Sequence, residues 1–203
     1  MKASVIKIDP VNPDKIKISS AAKVIRAGGL VVFPTETVYG IAANLSDDKA
    51  MARLCKLKER PREKPFTVHI SDEKMIRDMG CSVTDAARKL MDRFWPGPLT
   101  IILNSRHGKK VGFRMPSNKI AFNIIESSGV PVVAPSANLS GRIPPNTASE
   151  AMIDMLESVD MVIDGGPTEM GAESTVVDMT EDPPRILRAG IIRKSELLEA
   201  ING

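Results

Sequence analysis

Apolar positions along the chain alternate between short unbroken runs and stretches spaced at helical intervals. Residues 30–33 form an unbroken run, Leu-Val-Val-Phe, closed by Pro34, which is the pattern of a buried strand. Ahead of it, Ser19 or Ser20 is placed to cap a short helix through Ala27, stopped by Gly28 and Gly29. After Ser46, the recurrence of Ala50, Met51, Leu54 and Leu57 on one face predicts a second helix, ending before Pro61.

The same reading continues to the carboxyl end. Residues 66–70 read as a strand, and Ala86, Ala87, Leu90, Met91 and Phe94 mark a helix broken by Trp-Pro-Gly-Pro at 95–98. Strands follow at 99–103, 111–114 and 131–135, with a helix through Ile120, Ala121, Ile124 and Ile125 that ends at Gly129. Thr147 and Glu150 form a capping box for a helix at 148–158, and strands at 161–164, 175–179 and 185–188 complete the set. Several neighbouring strands are joined too closely for a helical crossover, so the expected fold class is α/β with a mixed parallel and antiparallel sheet. The last ten residues are expected to form a loosely attached helix.

With 203 residues and 42% hydrophobic content, the chain suits one domain over residues 1–203. Aromatics are only 3%, so the aliphatics and 11 Met must fill the core, and Met stripes read as packing. The net charge of +3 tolerates anionic ligands without requiring nucleic acid. Cys55 and Cys81 are far apart and outside any metal-ligand spacing, which points to reduced core thiols and a cytoplasmic location. No stretch approaches the roughly 20 apolar residues of a membrane span, and the amino terminus lacks a signal-peptide run.

Four segments carry candidate chemistry. Pro-Thr-Glu-Thr-Val-Tyr-Gly at 34–40 sits at the end of a buried strand, where ligands of α/β sheets collect, although a local turn accounts for Thr35 or Thr37 singly. Arg53, Lys56, Lys58, Arg60, Arg62 and Lys64 form a basic stretch between a helix end and two prolines; a solvated helix terminus and a phosphate clamp are the competing readings. Ala-Pro-Ser-Ala-Asn-Leu-Ser-Gly at 134–141 offers Ser136 and Asn138 as hydrogen bonders; without G-x-S-x-G and with two His in the chain, a hydrolase triad has little support. Gly-Gly-Pro-Thr-Glu-Met-Gly-Ala-Glu-Ser-Thr-Val-Val-Asp at 165–178 is a glycine-bearing loop entering a strand, with no Walker lysine pattern. His69 on its strand reads first as a satisfied core histidine, and His107 falls in an exposed turn.

Taken in order, Pro-Thr-Glu-Thr-Val-Tyr-Gly, Lys58-x-Arg60, Ser136-x-Asn138 and Ser-Thr-Val-Val-Asp at 174–178 closely resemble the YrdC-like threonylcarbamoyl-AMP synthase family. His69, Gly-Phe-Arg-Met-Pro at 112–116 and Leu-Arg-Ala-Gly at 187–190 extend the resemblance over about 15–192. It implies an open, twisted mixed sheet with a concave basic face, in the short single-domain form. It further implies synthesis of L-threonylcarbamoyl-adenylate from L-threonine, bicarbonate and ATP for tRNA modification, with Mg2+ carried by the ATP rather than by protein ligands.

By the same resemblance, Lys58, Arg60, Ser136, Asn138 and Arg188 hold ATP, with Lys58 and Arg60 serving catalysis, while Thr35, His69, Arg114, Ala134 and Ser174 hold threonine. Glu36 and Glu173 stand as either general bases or holders of nearby cations, Lys58 or Arg60 in the case of Glu36. A downstream tRNA threonylcarbamoyl transferase complex and weak RNA binding are the implied partners. Two alternatives remain at this stage. One is a carbamoyl-adenylate-forming domain, disfavoured by the lack of zinc-finger cysteines and of an acylphosphatase-like region; the other is a non-catalytic double-stranded RNA binding module, disfavoured by scarce aromatics.

Overall fold

The computed structural model describes residues 3–61 and 63–202; Arg62, one of the six cations of the basic stretch, lies outside them. Its strands are β1 (Ser4–Lys7), β2 (Val31–Pro34), β3 (Tyr39–Asn44), β4 (Val68–His69), β5 (Leu99–Asn104), β6 (Lys110–Arg114), β7 (Val132–Val133), β8 (Met161–Asp164), β9 (Thr175–Asp178) and β10 (Arg185–Arg188). Its helices are α1 (Lys15–Arg26), α2 (Asp48–Leu57), α3 (Lys74–Asp78), α4 (Asp85–Phe94), α5 (Lys119–Ser128), α6 (Ala148–Met155) and α7 (Lys194–Asn202).

The strands join in one ten-stranded sheet, ordered β1-β8-β2-β3-β7-β4-β6-β5-β9-β10. Parallel pairs (β1 with β8, β8 with β2, β4 with β6, β5 with β9) occur beside antiparallel ones (β2 with β3, β3 with β7, β7 with β4, β6 with β5, β9 with β10), so the expected mixed sheet is what forms. The short links 35–38 and 105–109 close the hairpins β2–β3 and β5–β6, as links too short for a crossover must.

Local chemistry moves several boundaries. Helix α1 begins at Lys15 because the Asp14 carboxylate accepts from the backbone N–H groups of Ile16 (2.8 Å) and Lys17 (3.1 Å), leaving Ser19 and Ser20 inside the helix rather than at its cap. Asp47 caps α2 in the same way. In α6 the Thr147 hydroxyl accepts from Glu150 N–H, but the Glu150 carboxylate reaches back to Asn146 N–H (2.7 Å), one residue beyond the usual box. Strands β1 and β3 and helix α3 were absent from the sequence expectation. Helix α7 is docked rather than loose: Leu197 and Ala200 are buried, and Lys89 Nζ donates to Ile201 O (3.0 Å).

Side-chain alternation across the sheet decides where a site can exist. On one face, Val32, Ile41, Val133, Val68, Phe113, Ile101 and Val177 join the larger core with α2, α4, α6 and α7. On the opposite face, Val31, Phe33, Ala42 and Val132 pack against α1 and α5 through Ile18, Ile25, Ile120 and Ile124. Moving along that second face past β7, the register sets His69 beside Val132 and Arg114 beside His69, and the apolar surface gives way to polar side chains.

Candidate functional site

A cavity of about 630 Å³ opens where the second face turns polar. Thr67 and His69 come from β4 and its approach, Thr100 and Ile102 from β5, Arg114 from β6, Val176 from β9 with Ser174 just ahead of it, and Arg188 from β10. Each strand contributes alternate residues, while Val68, Ile101, Phe113 and Val177 between them face the core. The rim is built from the loops at 35–40, 58–66 and 134–144.

The ten residues that the resemblance assigns to ATP and threonine line this one cavity: Thr35, Lys58, Arg60, His69, Arg114, Ala134, Ser136, Asn138, Ser174 and Arg188. Among the described residues its lining holds the cations Lys58, Arg60, Lys64, Arg114, Arg142 and Arg188 against one carboxylate, Glu173.

Lys58 ends α2 and is 7% exposed. Its ammonium donates to Ser136 O (2.9 Å), to Asn138 O and to Asn138 Oδ1 (3.3 Å), and the Ser140 hydroxyl in turn donates to Lys58 O. Burial, reinforced by Arg60, pulls its pKa down to about 8, against the opposing charges of Glu173 and Asp154. Arg60 braces its own loop, giving Nε to Lys64 O (3.1 Å) and Nη2 to Pro65 O (2.6 Å), with its guanidinium over the Phe66 ring at 4.8 Å. Asn138 is held by its amide nitrogen, which donates to Leu139 O (3.0 Å) and Arg142 O (2.6 Å).

Two arginines on the floor, Arg114 and Arg188, are each paired with a carboxylate. Arg114 Nη2 donates to Glu36 Oε1 and to Thr37 Oγ1, both at 2.7 Å. Glu36 therefore holds Arg114, not Lys58 or Arg60. Arg188 donates Nη1 to Glu173 Oε1 (2.5 Å), Nε to Ser174 O (3.0 Å) and Nη2 to Ser174 Oγ (2.9 Å), and that hydroxyl also meets Thr100 Oγ1 at 3.1 Å.

His69 is buried, and its pKa falls to about 3 through burial first and the neighbouring Arg114 charge second. The ring is thus neutral near pH 7. Its Nδ1 lies 3.4 Å from Thr67 O, an acceptor, which places the proton on Nδ1 and leaves Nε2 as a lone-pair acceptor. Thr35 closes a local turn: its hydroxyl donates to Val38 O (2.7 Å) and lies 2.9 Å from Thr37 Oγ1. Tyr39 OH donates to Gly166 O (2.6 Å), tying β3 to the glycine loop, and burial pushes its pKa up to about 12.

Sequence reasoning missed Thr100, Thr67, Phe66, Ser140 and Arg142, all of which line the cavity. For Thr100 a signal existed. It is the one hydroxyl in Leu-Thr-Ile-Ile-Leu, alternating with core-facing Leu99 and Ile101.

Fold and cavity together define a mixed-sheet α/β protein with a cation-lined cavity at the sheet's polar end. The Sua5/YciO/YrdC family model, described as telomere recombination, matches residues 23–190, and the chain belongs to that family. The threonylcarbamoyl-AMP synthase of Pyrococcus abyssi is 41% identical over 194 residues, 91% of this chain and 57% of that protein. That of Bacillus subtilis is 38% identical over 205 residues, 96% of this chain and 59% of its own length. The crystal structure of P. abyssi Sua5 complexed with L-threonine matches with a TM-score of 0.92 at 39% identity, covering 97% of this chain and 60% of that one. The chain thus spans less than two thirds of the length of these relatives.

Proposed function

We propose that this chain joins L-threonine, bicarbonate and ATP into L-threonylcarbamoyl-adenylate, releasing pyrophosphate, and acts in the cytoplasm to supply tRNA modification. The observation that carries this reading is the convergence of four separated sequence patterns on one cationic cavity of about 630 Å³. The names of the two curated relatives, and the threonine in the P. abyssi complex, support the choice of substrates.

In this reading Arg114 meets the threonine carboxylate, and neutral His69 accepts a hydrogen bond through Nε2, with Thr35, Ser174 and the backbone at Ala134 completing that end. Arg60 and Arg188, with Lys58, Ser136 and Asn138, hold ATP at the other end. The threonine amine attacks carbon dioxide derived from bicarbonate, forming the carbamate. A carbamate oxygen then attacks the α-phosphorus, the bond to the bridging oxygen breaks, and pyrophosphate leaves. Alignment and charge neutralisation carry such a step without a protein nucleophile.

Glu36 and Glu173 are committed to arginines, and among the described residues no cluster of three or more His, Cys, Asp or Glu is placed to hold a metal. In this reading a Mg2+ ion arrives on the triphosphate rather than on protein carboxylates. When bound it would offset charge on the departing pyrophosphate. Among the described residues no helix is long and apolar enough to cross a membrane. Transfer to tRNA falls to a downstream threonylcarbamoyl transferase complex, and any direct RNA contact is weak and salt-sensitive.

Incubation with ATP, threonine and bicarbonate, followed by mass detection of the adenylate and release of pyrophosphate, tests the proposal. Product that requires both threonine and bicarbonate is expected. Pyrophosphate exchange driven by carbamoyl phosphate instead, or tight RNA binding with no ATP turnover, would overturn it.

A further inference from the structure

We infer that Glu36 is a positioning residue that sets which edge of Arg114 the substrate carboxylate meets, an inference that rests on the threonine reading of the cavity. Glu36 is 0% exposed and outside the cavity lining, whereas Arg114, 6% exposed, is part of that lining. The two are joined by a 2.7 Å ion pair.

The carboxylate is fixed from several directions. Oε1 accepts from Arg114 Nη2, Oε2 accepts from Ser117 N–H at 3.2 Å, and the Glu36 carbonyl accepts from Met170 N–H at 2.9 Å. Both oxygens are therefore engaged. A general base for the threonine amine would need a free oxygen at the cavity, so this carboxylate acts through Arg114 instead.

What remains open on Arg114 makes the case specific. A single nitrogen, Nη2, takes both Glu36 and Thr37, while Nε is buried without a hydrogen-bond partner. A buried N–H left without an acceptor is uncommon, because desolvation is uncompensated. A planar guanidinium pinned at one nitrogen presents its other donors in a fixed plane, the arrangement that suits a ligand carboxylate. Thr37 supplies the second fixing point on the same nitrogen.

Wild-type protein is first shown to make threonine-dependent adenylate; if it does not, the functional reading and this inference both fail. Glu36→Gln keeps the shape of the side chain and removes its charge. The expected result is a rise of about tenfold in the threonine KM, with the ATP KM within about twofold of wild type and kcat at saturating threonine largely kept. A drop in kcat at unchanged threonine KM would make Glu36 a base and overturn the inference.

Should Glu36→Gln fail to fold, Thr37→Val removes the other acceptor of Arg114 Nη2 without a change in volume. A threonine KM raised severalfold, again with the ATP KM unchanged, is expected. A wild-type threonine KM in Thr37→Val overturns the positioning role, as does a lowered melting temperature with no change in that KM.

Discussion

Lys58 Nζ lies 2.9 Å from the carbonyl oxygen of Ser136, 78 residues further along the chain, and also reaches Asn138 O and Oδ1. The lysine of the Lys-x-Arg pattern thus pins the turn carrying the Ser-x-Asn pattern. Whatever charge it lends to a triphosphate, it first fixes the distance between the two halves of the proposed ATP site.

Lys58→Ala is expected to act on stability and catalysis together. Each of the two carbonyls that loses its donor costs about 1–3 kcal/mol, and at about 2–4 °C per kcal/mol for a chain of this size melting should fall by roughly 4 °C or more, while adenylate formation drops at least about tenfold. Arg60→Ala should match the catalytic loss with a smaller thermal one, since Arg60 braces only its own loop at Lys64 and Pro65. Thermal melts beside pyrophosphate release check both. Wild-type turnover in either variant would remove that residue from the site.

The pKa of Lys58 gives a second test in which two signals move in opposite directions. Burial lowers it to about 8 from 10.5 in the open chain. Between those values the unfolded chain binds a proton that the folded one has released, so stability rises with pH across this window. Over the same window the ammonium charge is lost, and kcat/KM for ATP should decline from about pH 8 upward. Comparing denaturant midpoints and kcat/KM at intervals from pH 7 to 10, in wild type and Lys58→Met, checks this; the substitution should flatten both trends.

How much of this was legible in the sequence follows from the range of the interactions involved. Apolar runs placed β2, β5 and β8 well because burial is written directly in composition. Strand β3 escaped because Tyr-Gly-Ile-Ala-Ala-Asn is rich in small residues and overlaps a motif read as a loop, and α1 was started late because Asp14, ahead of two lysines, was passed over as its cap. The ten residues named from the resemblance line one cavity, yet sequence could not reveal that Lys58 spends its donors on carbonyls of a distant turn. Nor could it assign Glu36 to Arg114. Both pairings depend on strand order, which no local pattern encodes.

His69 should govern acid sensitivity without contributing an inflection to activity near neutrality. Its folded pKa of about 3 lies below the ordinary 6.5, so the unfolded chain binds the extra proton first. The stabilising contribution is complete above about pH 6.5 and is lost as pH falls toward 3. His69→Gln should therefore be less stable than wild type at pH 7, with the gap narrowing at pH 4.5. Denaturant melts at the two pH values check this, and a gap that widens on acidification would contradict the neutral, buried imidazole.

Gly190 ends the Leu-Arg-Ala-Gly pattern, and its role is close approach. A Cβ there would overlap the Glu173 carbonyl oxygen and sit 2.5 Å from both the Ser174 carbonyl carbon and the Thr175 nitrogen, all of them backbone atoms that cannot swing aside. The same two stretches are zipped by Ile191 N–H to Glu173 O (3.3 Å) and by reciprocal bonds between Thr175 Oγ1 and the Ile192 backbone at 2.9 and 3.0 Å. Gly190→Ala must push β9 away from the segment after Arg188, displacing Ser174 from the guanidinium that now holds it. Overpacking of this kind costs about 1–3 kcal/mol. The variant should melt several degrees lower and form adenylate more slowly than Ser174→Ala, which removes one hydroxyl but leaves the backbone in place. Equal activity in the two variants would mean that the spacing between these stretches is not what organises Arg188.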